Sequence, residues 1–403
     1  MNKLIERKDY LDQLAMWREE EMIKVVTGVR RCGKSTLFDL YIRRLKAEGV
    51  GDGQIVFVNL ENEDFSELLD YKKLHEYVKA RVQKDKWTYV FIDEIQGCEN
   101  YEKAISSLYL NKNLDIYITG SNAYMLSGEL ATKLTARYIK IDMLPLSFME
   151  FSEAVTTPDK RERFNQFMNM GAFPYATRFM DNSLAHSQYL EGIYNTVLVK
   201  DVMTRKNLKD VTLLKSIASF LSDNVGNPVS VKKIADTLTS NGRPTGSAMV
   251  DTYLEALTDA YLFYKVNRYD IKGKMHLKTE SKYYICDTGL RNMILRTKNE
   301  DIGRQIENIV YLELVRRGYI VNIGKAGRST EVDFVAVRDK ATEYYQVAAS
   351  VLDENTLKRE LRALEQITNN YPKFLITLDD FAGDHSGIQQ INLLDWLSVY
   401  KPL

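Results

Sequence analysis

Met22-Ile-Lys-Val-Val-Thr-Gly-Val-Arg-Arg-Cys-Gly-Lys-Ser-Thr36 is the stretch that decides the N-terminal fold. Its apolar first part reads as a strand and its end opens a helical pattern. Between them lies Gly28-Val29-Arg30-Arg31-Cys32-Gly33-Lys34-Ser35, the spacing G-x-x-x-x-G-K-[ST] in a strand–loop–helix context. Gly28 and Gly33 let such a loop curl until its N–H groups converge on phosphate oxygens, and the following helix adds its positive end to the same anion site. In that reading Lys34 reaches the β- and γ-phosphates, the Ser35 hydroxyl ligates Mg²⁺, and Thr36 contacts the α-phosphate. Arg30 and Arg31 reach phosphate or a neighbouring subunit, or else lay their stems on the domain surface.

Working outward, apolar runs alternate with helical patterns from Met22 to Met143. Strands are expected at Ile23–Thr27, Ile55–Leu60, Tyr89–Ile92, Ile116–Thr119 and Tyr138–Ile141, with helical spacing over Thr36–Ala47 and Tyr71–Val82. That alternation implies a parallel sheet covered on both faces, with ligands at the carboxyl ends of its strands. The third strand ends Tyr89-Val-Phe-Ile-Asp93-Glu94. Asp93 is placed to hold Mg²⁺ and Glu94 to polarise an attacking water, the two roles phosphoryl transfer requires. The next strand ends Thr119-Gly-Ser-Asn122. A polar residue there would lie between loop and acids and sense the γ-phosphate. Asn122 is the first choice, followed by Thr119 and Ser121.

The segments GVRRCGKST, YVFIDEIQ and YITGSNAYMLSGELATKLTARYIKIDMLPLSFMEF together resemble the AAA+-type ATPases of bacteria and archaea that carry a C-terminal domain of unknown function. The doubled arginine and the tail Leu144-Pro-Leu-Ser-Phe-Met-Glu-Phe151 are the more specific features. The resemblance covers nearly the whole chain and implies an AAA+ (ASCE-type) P-loop fold, ATP and Mg²⁺ as ligands, and ATP hydrolysis. It also implies a homo-oligomer or a protein partner whose assembly follows nucleotide state. Arg137, in Leu-Thr-Ala-Arg-Tyr, matches an arginine that acts on nucleotide at a subunit interface, in cis or in trans. The family commonly has glycine before it, where this chain has Ala136.

Composition constrains the rest. The chain has 403 residues, more than one ordinary domain, with 45% hydrophobic and 27% charged residues, as in soluble globular proteins. Basic and acidic residues balance at 55 each, so any nucleic-acid affinity must come from a local patch. Cys32, Cys98 and Cys286 lie far apart, which argues against zinc and against a disulfide scaffold. No apolar run is long enough for a membrane span, and the charged start Met1-Asn-Lys-Leu-Ile-Glu-Arg-Lys-Asp does not read as a signal peptide. A cytoplasmic protein is expected. The four histidines, His75, His186, His276 and His385, are scattered without ligand spacing.

The expected organisation is an ATPase domain over 1–150, a helical connection over 151–210, a winged-helix-like module over 211–285 and a nuclease-like domain over 286–403. In the third segment, helices at Leu213–Asp223, from Ser230 and at Ser247–Thr258 precede strands at Leu262–Tyr269 and Lys278–Ile285. Nine Lys/Arg against six Asp/Glu between Gly226 and Lys282 favour DNA contact through the wing. The candidate recognition helix instead carries Asp251, Glu255 and Asp259 without a cation, which favours protein packing.

From Gly303 onward, a helix, three strands, a helix and a strand resemble the restriction-endonuclease-like PD-(D/E)xK fold. Two acids in that fold bind Mg²⁺ and a lysine steadies the attacking water. Glu307 matches the helical acid, Asp333 the strand acid, and Gln346 the third position, but Ala348 stands where the lysine belongs. Lys325 and Lys358 are candidates for a migrated lysine. An inactive remnant is the favoured expectation, and a DNA-processing or defence ATPase and a slow ATP-switch scaffold are the alternative functions.

Overall fold

The computed structural model describes residues 4–123, 137–204, 206, 208–296, 301–327, 330–339 and 341–399. Ala136 and most of the segment before it lie outside them. The chain forms two compact units, one of residues 1–143 with 259–261 and the other of 144–258 with 262–403.

The first unit is built on strands β1 (Ile23–Thr27), β2 (Ile55–Asn59), β3 (Thr88–Asp93), β4 (Leu114–Gly120) and β5 (Tyr138–Asp142), all parallel, in the order β2-β3-β4-β1-β5. Strands β1, β3 and β4 are buried at every position, which is why they read as continuous apolar runs rather than as alternation. Lys24 breaks the run in β1 and is reconciled by Asp115 of β4, 2.5 Å away. Strand β4 lies between the loop-bearing β1 and the acid-bearing β3. Helix Lys34–Ala47 packs Leu37, Phe38, Tyr41 and Leu45 into the core.

The second unit begins with helices, including Phe148–Ala154, Lys160–Met170 and Ser183–Thr196, the last continuing as a π-helical stretch to Thr204. Helices Val211–Asp223, Val231–Ser240 and Ser247–Asp259 follow, then the hairpin β6 (Phe263–Asp270) and β7 (Met275–Ile285). Helices Thr288–Leu295 and Ile302–Arg316 lead to β8 (Ile320–Lys325), β9 (Glu331–Arg338) and β10 (Ala341–Val347). Helix Glu354–Glu365 precedes β11 (Lys373–Thr377), β12 (Gly383–His385) and β13 (Ile388–Asn392).

These strands make one mixed eight-stranded sheet in the order β12-β13-β11-β10-β9-β8-β6-β7. The hairpin expected to be the wing of a separate module is therefore part of the same sheet, through parallel pairing of β6 with β8. The boundary drawn at 285/286 does not divide the structure, because Asn308 on helix Ile302–Arg316 also clamps Ile285. Its amide accepts the Ile285 N–H at 2.8 Å and donates to the Ile285 carbonyl at 3.0 Å.

A turn at Gly171-Ala-Phe-Pro174 follows helix Lys160–Met170. Asp287, buried, accepts the N–H groups of Ala172 at 2.6 Å and Leu290 at 2.8 Å, tying the turn to helix Thr288–Leu295. Burial pushes the Asp287 carboxyl up to about 6 against those bonds. Among the described residues no helix is long and apolar enough to cross a membrane. All three cysteines are buried, and none is in a disulfide.

Candidate functional site

The loop Gly28–Ser35 leaves the carboxyl end of β1, as a parallel sheet requires of a ligand loop. Gly28 has φ of +151°, and a Cβ there would stand 2.1 Å from the Met143 carbonyl, so no other residue fits. Gly33, in a left-handed conformation, starts helix Lys34–Ala47. Lys34 is buried, and its ammonium donates to the loop's own carbonyls, Gly28 at 3.0 Å and Val29 at 3.3 Å. Arg30 pairs with Glu61 at 2.8 Å beyond β2, while Arg31 and Ser35 are exposed.

The carboxyl ends of β3 and β4, on the same edge of the sheet as that of β1, bring the acids and their partners to this loop. Asp93 Oδ1 accepts the Thr119 hydroxyl at 2.5 Å. Its Oδ2 is buried without a well-formed hydrogen bond. Burial pushes the Asp93 carboxyl above the usual range, while the hydroxyls of Thr119 and Ser35 and the charge of Lys34 pull it back. Glu94 has a left-handed backbone, φ 53°, a strained setting for a non-glycine residue and one found preferentially at functional sites. The Thr119 hydroxyl accepts the Glu94 N–H at 2.9 Å, so one side chain fixes both acids. Glu94 Oε2 accepts from Gln96 and, at 3.3 Å, from Ser121, and Glu94 Oε1 lies 3.9 Å from the Lys34 ammonium.

Thr119 and Ser121, placed behind Asn122 in the sequence reading, thus have hydroxyls that reach the acids. Asn122 is buried at the same strand end. Strand register would have revealed this, because Ile92 pairs with Ile118 and Asp93 therefore faces Thr119. The sequence reading also missed Gln96 and Arg7, a buried arginine whose guanidinium donates to the Cys32 carbonyl at 3.0 Å. Its position far upstream of the motif carried no signal.

Arg137 sits elsewhere. Its carbonyl accepts the Ile23 N–H at 2.9 Å, at the start of β1, and its guanidinium lies over the Tyr109 ring. The five-residue β1, at about 3.3 Å per residue or roughly 16 Å in all, separates that point from the loop. The cis role expected for Arg137 is thereby excluded, since β5 runs parallel to β1 and starts at the opposite sheet end.

In the second unit, Glu307, Asp333 and Gln346 do come together, and the lysine that meets them is neither Lys325 nor Lys358. Lys358 pairs with Glu354 on its own exposed helix face at 2.6 Å. The lysine at the acids is Lys282 of β7, whose Nζ lies 3.1 Å from Glu307, 2.9 Å from Glu331 and 3.7 Å from Asp333. Burial works against its charge, yet Glu307, Asp333 and Glu331 together hold its pKa above the ordinary lysine range. Glu307 Oε1 also accepts the Tyr284 hydroxyl at 2.7 Å. Asp333 Oδ2 accepts the Val347 N–H at 2.9 Å, and the Gln346 amide donates to Glu360 at 2.8 Å. Burial and the nearby Glu307 push the Asp333 carboxyl above the usual range, against the pull of Lys282. Lys282 escaped the sequence reading because it precedes the helix on which that pattern was anchored.

Known proteins place this geometry. Residues 20–152 match the model of an AAA domain, and residues 161–301 match a domain of unknown function, DUF8612. An uncharacterized protein of Haemophilus influenzae is 39% identical over 98% of both chains. The chain belongs to its family. An uncharacterized protein of Methanocaldococcus jannaschii is 31% identical over 93% of this chain and 85% of its own. Among solved structures, the Walker-type ATPase of Pyrococcus abyssi is similar with a TM-score of 0.50 and 15% identity, over 73% of this chain and 96% of that one. At that identity the likeness speaks for the fold. The chain is an α/β protein with a P-loop ATPase-type parallel sheet carrying the AAA domain, followed by a unit built on a mixed sheet.

Proposed function

We propose that the N-terminal unit binds and hydrolyses ATP with Mg²⁺, and that its nucleotide state controls assembly with further copies of this chain or with a protein partner. The observation that carries the reading is Asp93, whose Oδ2 is buried beside Lys34 and Ser35 without a well-formed hydrogen bond. A buried carboxylate oxygen left in that state is costly unless a cation completes it. Ser35 and Asp93 are the residues that would hold Mg²⁺, which would supply positive charge against the phosphates.

The chain's own residues divide the remaining work. Loop N–H groups from Gly28 through Thr36 cradle the phosphates, and Lys34 exchanges its bonds to the Gly28 and Val29 carbonyls for phosphate oxygens. Glu94, held through Oε2 by Gln96 and Ser121, orients water with its other oxygen. Thr119 keeps Asp93 and Glu94 in step, and Asn122 and Ser121 sense the γ-phosphate. Arg137, remote from its own loop, acts on nucleotide only in trans, from a neighbouring copy.

Hydrolysis and assembly are tested together. Glu94→Gln should bind ATP normally and lose turnover by about 10²- to 10⁴-fold. Turnover by Glu94→Gln at the parental rate would remove Glu94 from the mechanism. Light scattering with a non-hydrolysable ATP analogue should show an assembly that depends on nucleotide. Arg137→Ala should retain that assembly and hydrolyse slowly, and monomers under all conditions would defeat both the assembly and the trans arginine.

A further inference from the structure

The likeness of the C-terminal unit's element order to metal-dependent nucleases implies a divalent ion on Glu307 and Asp333, and the side chains there do not fit one. Three carboxylates, from helix Ile302–Arg316 and from β9, converge on the ammonium of Lys282, whose side chain is 5% exposed. Mg²⁺ needs oxygen ligands at about 2.0–2.1 Å in an octahedral shell, and it keeps several waters. Here an ammonium at hydrogen-bonding distance fills the point where the carboxylates meet, and donors from the protein take further lone pairs.

Glu307 Oε1 already accepts from Tyr284, and Asp333 Oδ2 from the Val347 backbone. On the remaining side of Glu307, a Cβ at Gly226 would stand 2.8 Å from Oε2, so the backbone itself closes that approach. A metal could enter only by displacing Lys282, and a buried ammonium stripped of its acids has no solvent to receive it. Among the described residues, no group of three or more His, Cys, Asp or Glu is arranged to hold a metal ion.

We infer that the Lys282 ammonium is the resident cation of this carboxylate cluster, standing in place of a divalent metal and locking strand β7 to helix Ile302–Arg316 and to β9. The site is a permanent ionic joint within the C-terminal unit. It offers no open coordination position for a substrate phosphate, and the inference is independent of the nucleotide reading above.

Mn²⁺ binding to the full chain without nucleotide, followed by the EPR signal of free Mn²⁺, tests the metal half. The parent and Asp333→Asn should retain the same amount of Mn²⁺, since any binding at the P-loop is common to both. An Mn²⁺ ion held by the parent and lost in Asp333→Asn overturns the inference. Thermal unfolding tests the joint: Lys282→Met should lower Tm by roughly 5 to 10 °C in the absence of metal. An unchanged Tm would show that the ammonium holds nothing together. Should Lys282→Met fail to fold, Lys282→Arg, which keeps the charge, should still yield folded protein, and failure of Lys282→Arg to fold as well would overturn the reading of the joint as one of charge.

Discussion

Lys34 and Lys282 are both buried beside carboxylates, Lys34 in the N-terminal unit and Lys282 in the C-terminal one. The Lys34 ammonium rests on the carbonyls of its own loop and stands 3.9 Å from Glu94, while Asp93 keeps a buried oxygen without a well-formed bond. The Lys282 ammonium is engaged by Glu307 and Glu331 at bonding distance, with Asp333 close behind. The first arrangement is open, and under the proposed function nucleotide and its cation complete it. The second is closed. A lysine among acids therefore indicates a working site only when the acids still lack a cation.

The sharpest way to break that comparison is to remove each lysine in turn. Lys34→Ala should reduce ATP turnover by about 10²- to 10³-fold and cost less stability than loss of Lys282, because its two bonds go to loop carbonyls and the Glu94 carboxylate stands at 3.9 Å. Lys282→Ala should do the reverse, costing about 3 to 5 kcal/mol in denaturant unfolding with little change in ATP turnover per folded molecule. If the two variants exchanged phenotypes, the division into open and closed sites would be wrong.

Asp287 sharpens the contrast as a third kind of buried carboxylate, held by backbone N–H groups. Its folded pKa, about 6, lies above the ordinary value of 3.8. Below about pH 4 it is protonated in both states and carries no penalty. Between pH 4 and 6 the unfolded chain ionises first, so its contribution to stability falls as pH rises, by about 3 kcal/mol in all, and is constant above. Asp287→Asn should remove that slope from unfolding free energies measured between pH 4 and 7. An identical slope in both proteins would assign the pH dependence elsewhere.

Smaller effects probe how tightly each site is built. Gly226→Ala, with φ of +75° and a Cβ 2.8 Å from Glu307, should cost about 1 to 3 kcal/mol in denaturant unfolding. A neutral result would mean that the closed cluster has room to give. Ser121→Ala removes one of two donors to Glu94 Oε2 and should slow hydrolysis by less than about tenfold, with a smaller change in nucleotide affinity. A larger loss of affinity than of turnover would make Ser121 a binding residue.

Much of the local structure was legible because its physical causes are local. The strand expected at Ile23–Thr27 has those bounds in the structure, and the helix expected from Gly303 onward runs Ile302–Arg316. Buried parallel strands must be apolar throughout, and a phosphate loop must combine glycines with a lysine, so both leave contiguous marks. Short polar strands leave weaker ones: β12 and β13, with mixed exposure, were not anticipated. Nor was the contact of the Thr119 hydroxyl with both acids readable before the register of β3 against β4 was known.

By itself, then, the sequence determined the P-loop, the acid pair Asp93–Glu94 and the alternation of strands and helices around them, since each is a constraint on neighbours along the chain. Tertiary structure decided the rest: that Arg137 precedes β5 at the far end of the sheet from its own loop, that hairpin β6–β7 joins the C-terminal sheet, and that Lys282 meets Glu307 and Asp333. Those outcomes depend on strand order and burial, which bring residues distant in sequence within a few ångströms. A charge buried there is stable only where the fold supplies its counter-charge.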